Sequence, residues 1–124
     1  MAVDPDGDFL AAFLTEDPDQ PVVMLNLLRF AEDGRELYRR YTKEFSARVA
    51  SRFGVEVIYA GDGCEAVIAE PGQQWDAILL VRYPSRNAFA AMVTDPEYRQ
   101  ISSLRSRALV EAVLQPTKPW GRDS

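Results

Sequence analysis

Asn26 stands mid-way along Val22-Val23-Met24-Leu25-Asn26-Leu27-Leu28-Arg29-Phe30, a run that is otherwise apolar except for Arg29. A buried amide without a partner costs ~1–3 kcal/mol. Either backbone or water satisfies Asn26, or its amide is a donor that orients a ligand carbonyl. Arg82 alternates with Leu80, Ile78 and Asp76, and Glu111 alternates with Leu109 and Val113. If these parities share an inner face, Arg82 and Glu111 pair there or offer charge to an acidic ligand; otherwise both sit near strand ends and reach water. An unpaired charge in such a lumen is expensive. Arg105 and Arg29 are each suited to take a carboxylate in bidentate fashion, or to pair with a surface acid such as Glu97 or Asp95. Tyr59, Tyr83 and Tyr98 read as polar-tipped walls of a pocket or sheet whose hydroxyls need partners. Tyr38 and Tyr41 read first as helix packing residues. Nothing fixes the separation of Asp76 and Glu111, so they make no acid/base dyad.

The composition removes much familiar chemistry. The 124 residues contain no histidine and one cysteine, Cys64. Imidazole-based triads, His-ligated metals, Cys-rich clusters and an intrachain disulfide are therefore excluded. Cys64 lies in a Gly-rich stretch without a basic neighbour that would activate it. No GxGxxG or Walker-type loop cradles a phosphate. The net charge is −5. It resides in residues 1–20, where Asp4, Asp6, Asp8, Glu16, Asp17 and Asp19 meet no base; the rest of the chain is close to neutral. Such a chain does not attract nucleic acid by its mean field. The basic stretch 35–52 reads as the solvated face of a helix with i,i+4 pairs Glu36–Arg40 and Glu44–Arg48. The apolar run Ala77–Val81 is far short of the ~20 residues that span a bilayer, and no basic n-region opens the chain, so a cytoplasmic protein without a membrane partner is expected.

These side chains need elements to hold them. Residues 5–15 read as a short helix with Phe9, Leu10, Phe13 and Leu14 at helical spacing, capped by Asp4 with Pro5 in the first turn. A strand over 22–30 is apolar on both parities. Leu37, Tyr41, Phe45, Val49 and Phe53, at steps of four, predict one helix over 35–53, ended by Gly54. Strands follow over 55–61, with an extended continuation over 65–69, and over 75–83. Ser85 caps a helix over 86–94, and Asp95-Pro96 opens another to about 107. A last strand covers 108–115, and a proline-broken arm ends the chain. The order after the leader is βαββαβ, an α+β ferredoxin-like arrangement with a four-stranded antiparallel sheet and both helices on one face. Strands apolar on both faces need a second cover. A second copy is the simplest, which predicts a homodimer closed as a dimeric α/β barrel. The domain plan is an acidic leader helix over 1–20, the ferredoxin-like domain over 21–116 and a tail over 117–124.

The blocks Tyr83-Pro84-Ser85-Arg86-Asn87-Ala88-Phe89 and Asp95-Pro96-Glu97-Tyr98, with Met24–Phe30, Tyr59-Ala60-Gly61 and Trp75–Arg82, resemble the domain-of-unknown-function thirteen-thirty family of the dimeric α/β-barrel superfamily. The resemblance covers roughly residues 20–116 and implies the dimeric barrel without a settled reaction. Leu104-Arg105 stands where the family pattern has His-Arg. Similar barrels that oxidise aromatic substrates without a cofactor place an Asn and a Trp near the substrate. Asn26 and Trp75 match those types, although Trp75 suits packing or a dimer anchor equally. The expected site is a cavity at Asn26, between the sheet and the helices or the partner chain, bounded by Tyr59, Arg82 and Arg105. It would take a small aromatic or cyclic carboxylate or carbonyl compound, with no cofactor and no metal. One reading is a cofactor-independent oxygenase, isomerase or cyclase. The other is a non-catalytic binding or interaction module whose lumen is packed solid. A cavity at the level of Asn26 separates the two.

Overall fold

Local chemistry starts two of the helices where the sequence places their caps. The Ser85 hydroxyl accepts from the Ala88 N–H at 2.9 Å, opening α3 (Arg86–Val93). Asp95 accepts from the N–H groups of Glu97 and Tyr98 at 3.0 and 3.3 Å, and Pro96 fills the first position of α4 (Pro96–Ala108), whose own N–H would be orphaned anyway. The computed structural model describes residues 7–121. The Asp4-Pro5 cap lies outside them, and α1 is described over Gly7–Phe13.

α2 (Gly34–Arg48) is shorter than the stripe predicts. The backbone leaves helical angles at Val49, and a 3-10 turn over Ala50–Phe53 carries the chain on to Gly54, whose φ of 68° is the left-handed stop expected there. Gly34 itself is a place of close approach. The Ala108 carbonyl accepts from the Ala31 N–H at 2.8 Å and lies where a Cβ on residue 34 would point.

The strands are β1 (Val22–Phe30), β2 (Glu56–Asp62), β3 (Ala77–Tyr83) and β4 (Leu109–Thr117). They form one antiparallel sheet in the order β2-β3-β1-β4, the ferredoxin-like topology. Alternation divides the side chains between two faces. Val22, Met24, Asn26 and Leu28 pair across β3 with Tyr83, Val81, Leu79 and Ala77, and the β1 set is buried throughout. This face meets the helices, with Val49, Phe89, Met92 and Ile101 in the same core. The opposite face carries Val23, Leu25, Leu27, Ile78 and Leu80, all only partly buried. No helix among the described residues is long and apolar enough to cross a membrane.

Two expectations are corrected. Residues 65–69 form no strand. Asp62 already pairs with Ala77 at the end of the β2–β3 ladder, Gly63 N–H closes onto Asp76 O at 2.9 Å, and Val67 and Ile68 stand 99% and 94% exposed on the loop beyond. The last strand does not stop at 115. Pro116 lies opposite Met24 and Thr117 opposite Val23, a place open to proline because β4 is an edge strand. The apolar residues of the leader dock on the core despite its acidic charge. Phe13 is buried in the main core, with Leu10 and Leu14 packed against it.

Candidate functional site

Between the inner face of the sheet and the helices lies a chamber of about 80 Å³. Asn26 supplies its floor from the middle of β1 and is 8% exposed. Its Nδ2 donates to Met24 O at 3.3 Å, a long bond. Arg105 descends from α4 and is 6% exposed. Tyr38 and Tyr41 come from α2 and Tyr83 from the end of β3. An adjoining hollow of about 30 Å³ shares Asn26, Tyr41, Tyr83 and Arg105 and extends to Tyr98. The two helices bring their phenols together at Tyr41 and Tyr98, whose hydroxyls are 3.1 Å apart and whose rings meet edge to face at 6.3 Å.

Burial sets the protonation of these phenols. It pushes Tyr38 up to about 12, against the opposing pull of the Arg105 charge. Burial likewise raises Tyr41 and Tyr83 well above the ordinary tyrosine value, again with Arg105 pulling them down. At neutral pH the hydroxyls therefore keep their protons and remain able to donate. Among the described residues the lining offers one guanidinium, one amide and several hydroxyls among apolar walls, with no carboxylate. Such an arrangement can hold and polarise an oxygen.

Of the four residues expected around the cavity, the structure brings Asn26 and Arg105 together. Arg82 pairs with Val23 on the opposite face of the sheet. Tyr59 pairs with Leu80 on that face too, because a bulge between Val57 and Tyr59 resets the alternation of β2. Glu111 pairs with Arg29 at 2.9 Å rather than with Arg82. Arg29 also donates to Gly72 O at 3.0 Å and to Gln74 O, and its guanidinium lies 4.6 Å from the centre of the Trp75 ring. Arg29 and Trp75 thus clamp the β2–β3 loop. Asp76 accepts from the Phe30 N–H at 2.9 Å and ties the same corner. Asp95 pairs with Arg52 at 2.8 Å and Glu97 with Arg48 at 3.3 Å. The Glu44–Arg48 pair forms at 3.4 Å, whereas Glu36 is met by Arg39 rather than Arg40. Cys64 is exposed.

Tyr38 and Tyr41 are the residues that the packing interpretation passed over. Their signal was present: two hydroxyl-bearing aromatics three apart on a helix, in a stripe otherwise made of Leu, Phe and Val.

Residues 28–114 match a family model described as "Domain of unknown function (DUF1330)". No curated protein matches the chain. Among solved structures, a protein of unknown function from Rhodopseudomonas palustris is 31% identical, with a TM-score of 0.84 over 96% of this chain and 97% of that one. A dimeric protein of unknown function and ferredoxin-like fold from Bacteroides fragilis shares 10% identity and a TM-score of 0.56, covering 79% of this chain and 95% of that one. A hydroxynitrile lyase from Passiflora edulis shares 10% identity and a TM-score of 0.61, covering 81% and 94%. At such identities the last two speak for the fold alone.

Proposed function

Since the chain belongs to the DUF1330 family, a family without an assigned reaction, we propose from its own geometry that it is a homodimeric protein binding a small molecule between its sheet and its helices. The observation that carries this reading is the meeting of Asn26 and Arg105, both more than nine-tenths buried, at a hollow inside an otherwise apolar core. Polar groups buried among apolar side chains depart from local rules, and such departures concentrate at functional sites. The reaction class consistent with the lining is a cofactor-independent oxygenase, isomerase or cyclase acting on a small aromatic or cyclic compound. In each, the donors would stabilise a developing oxyanion while apolar walls exclude water. The open face of the sheet supports the homodimer. Val23, Leu25, Leu27, Ile78 and Leu80 are only partly buried by the described residues of the chain, and a second copy completes their cover by two-fold symmetry. Tyr59 and Arg82 then belong to that interface rather than to the chamber.

The test is Asn26→Leu, which keeps the volume and removes the amide. Binding of benzoate and benzamide is followed by NMR beside thermal unfolding. Stability should hold or rise while binding of whichever probe the wild type takes falls by about tenfold. A large loss of stability with unchanged binding contradicts the proposal.

A further inference from the structure

We infer that the loop joining β2 to β3 is an arm that holds a second copy of the chain, with Val67 and Ile68 docked on the partner protomer. This rests on the homodimer reading and adds to the interface an element beyond the open sheet face.

Exposed loops are ordinarily polar, and this one is not. Ala66-Val67-Ile68-Ala69 is an unbroken apolar run, and every residue from 64 to 74 is exposed. Runs of this kind on a surface are disfavoured unless something covers them. Val67 and Ile68, 99% and 94% exposed, bury almost nothing against their own chain. The loop is nonetheless held in shape. Gln74 Oε1 accepts from the Ala66 N–H at 3.0 Å and ties the outgoing limb to the returning one. Gln73 Oε1 accepts from the Glu70 N–H at 2.9 Å, and the Gln73 N–H donates to Glu70 O at 3.1 Å. Arg29 fastens the returning limb at Gly72 O and Gln74 O. A crest fixed in this way has little left to order when it docks, and Val and Ile lose less rotamer freedom than long flexible side chains.

The direction of the arm selects its occupant. By alternation Arg29 follows Val23, Leu25 and Leu27 along the open face of β1. Its grip therefore sets the returning limb at the end of that face. Glu111, opposite Arg29 on β4, and Trp75 complete the corner. A second copy laid on the open face meets the arm at the same time, and under two-fold symmetry each protomer gives one arm and receives one. A lipid surface suits the crest less well. Glu65 and Glu70 flank it and the chain carries a net charge of −5, which anionic headgroups repel.

Val67→Ser combined with Ile68→Ser removes the crest and spares the hydrogen bonds that shape the loop. Sedimentation velocity over a dilution series compares the dimer dissociation constants of the intact wild type and this variant. The variant should dissociate at a concentration at least about a hundredfold higher, because two aliphatic side chains per protomer leave the interface. A wild-type dimer that the variant matches overturns the inference and leaves the homodimer reading standing. A wild type that is monomeric throughout overturns both. If the variant does not fold, isotope-filtered NMR on a dimer mixed from labelled and unlabelled wild type decides: the Val67 and Ile68 methyl groups should show contacts to the other copy, and their absence overturns the inference. Vesicles of phosphatidylcholine and phosphatidylglycerol that retain the wild type but not the variant would put a lipid surface in place of the second copy and overturn it as well.

Discussion

Phe13→Ala asks whether the acidic leader is an appendage or part of the core. Phe13 is 3% exposed. Its ring meets Phe89 edge to face at 5.6 Å and Phe9 at 5.9 Å, and the Arg86 guanidinium stands 4.4 Å from its centre. Truncating a buried phenylalanine costs ~3–5 kcal/mol when the surroundings cannot collapse. Here they can yield, because α1 is seven residues long and can lift away. The loss is then capped by what docks the leader: Leu10 and Leu14 at the core margin, Arg86 donating to Phe13 O at 3.1 Å, and Asn87 N–H donating to Pro18 O at 3.0 Å. The expected loss is about 3 kcal/mol, at the lower end of that range, or a fall in Tm of about 10 °C. Urea unfolding at fixed protein concentration measures it, since concentration shifts the apparent stability of a dimer. We propose that residues 21–116 fold without the leader, so deleting 1–18 should cost about as much as Phe13→Ala and leave a soluble dimer. A loss below about 1 kcal/mol for Phe13→Ala would refute the packing argument. Insoluble protein after the deletion would refute the domain boundary.

Light scattering at micromolar concentration should give ~28 kDa, twice the 13.9 kDa chain, and Leu80→Glu on the open face should drive the species towards ~14 kDa; a wild type already at ~14 kDa contradicts the homodimer. Gly34→Ala should lower stability by about 2–3 kcal/mol, because its Cβ meets the Ala108 carbonyl, a backbone atom with little freedom to move; a neutral outcome in calorimetry would mean that the α2–α4 contact is looser than described. Alkaline stability follows Tyr38, raised from 10.0 to about 12. Below pH 10 the phenol is neutral in both states; between 10 and 12 the unfolded chain sheds the proton first, so stability falls by ~1.4 kcal/mol per pH unit until the folded pKa is passed. Tyr38→Phe should flatten that fall in denaturant titrations across the range, leaving the part due to Tyr41 and Tyr83; an unchanged slope would place the Tyr38 hydroxyl in water.

What was legible in the sequence was whatever a short stretch decides. Ser85 and Asp95 cap because their side chains reach N–H groups two or three residues on, and Gly54 stops a helix because only its own φ is at issue. The βαββαβ order followed from hydrophobic period and turn chemistry. Asn26 stood out as a polar residue in an apolar strand. What failed needs more than one strand to settle. Arg82 looked like a companion of Asn26, yet the β1–β3 register pairs Asn26 with Leu79 and sends Arg82 to the other face. Tyr59 was misplaced by a bulge that its neighbours do not announce. Glu111 found Arg29 because β4 lies beside β1 at that register, a long-range fact. Val67 and Ile68 have strand-forming side chains but no ladder left to join.

A crystal structure of the protein soaked with benzoate decides whether the chamber between sheet and helices is the binding site. The ring should lie between the sheet and the helices, with its carboxylate within hydrogen-bond distance of Arg105 and Asn26. Benzoate seated instead on the open face beside Arg82 and Tyr59, with side chains closed over Asn26, would contradict it.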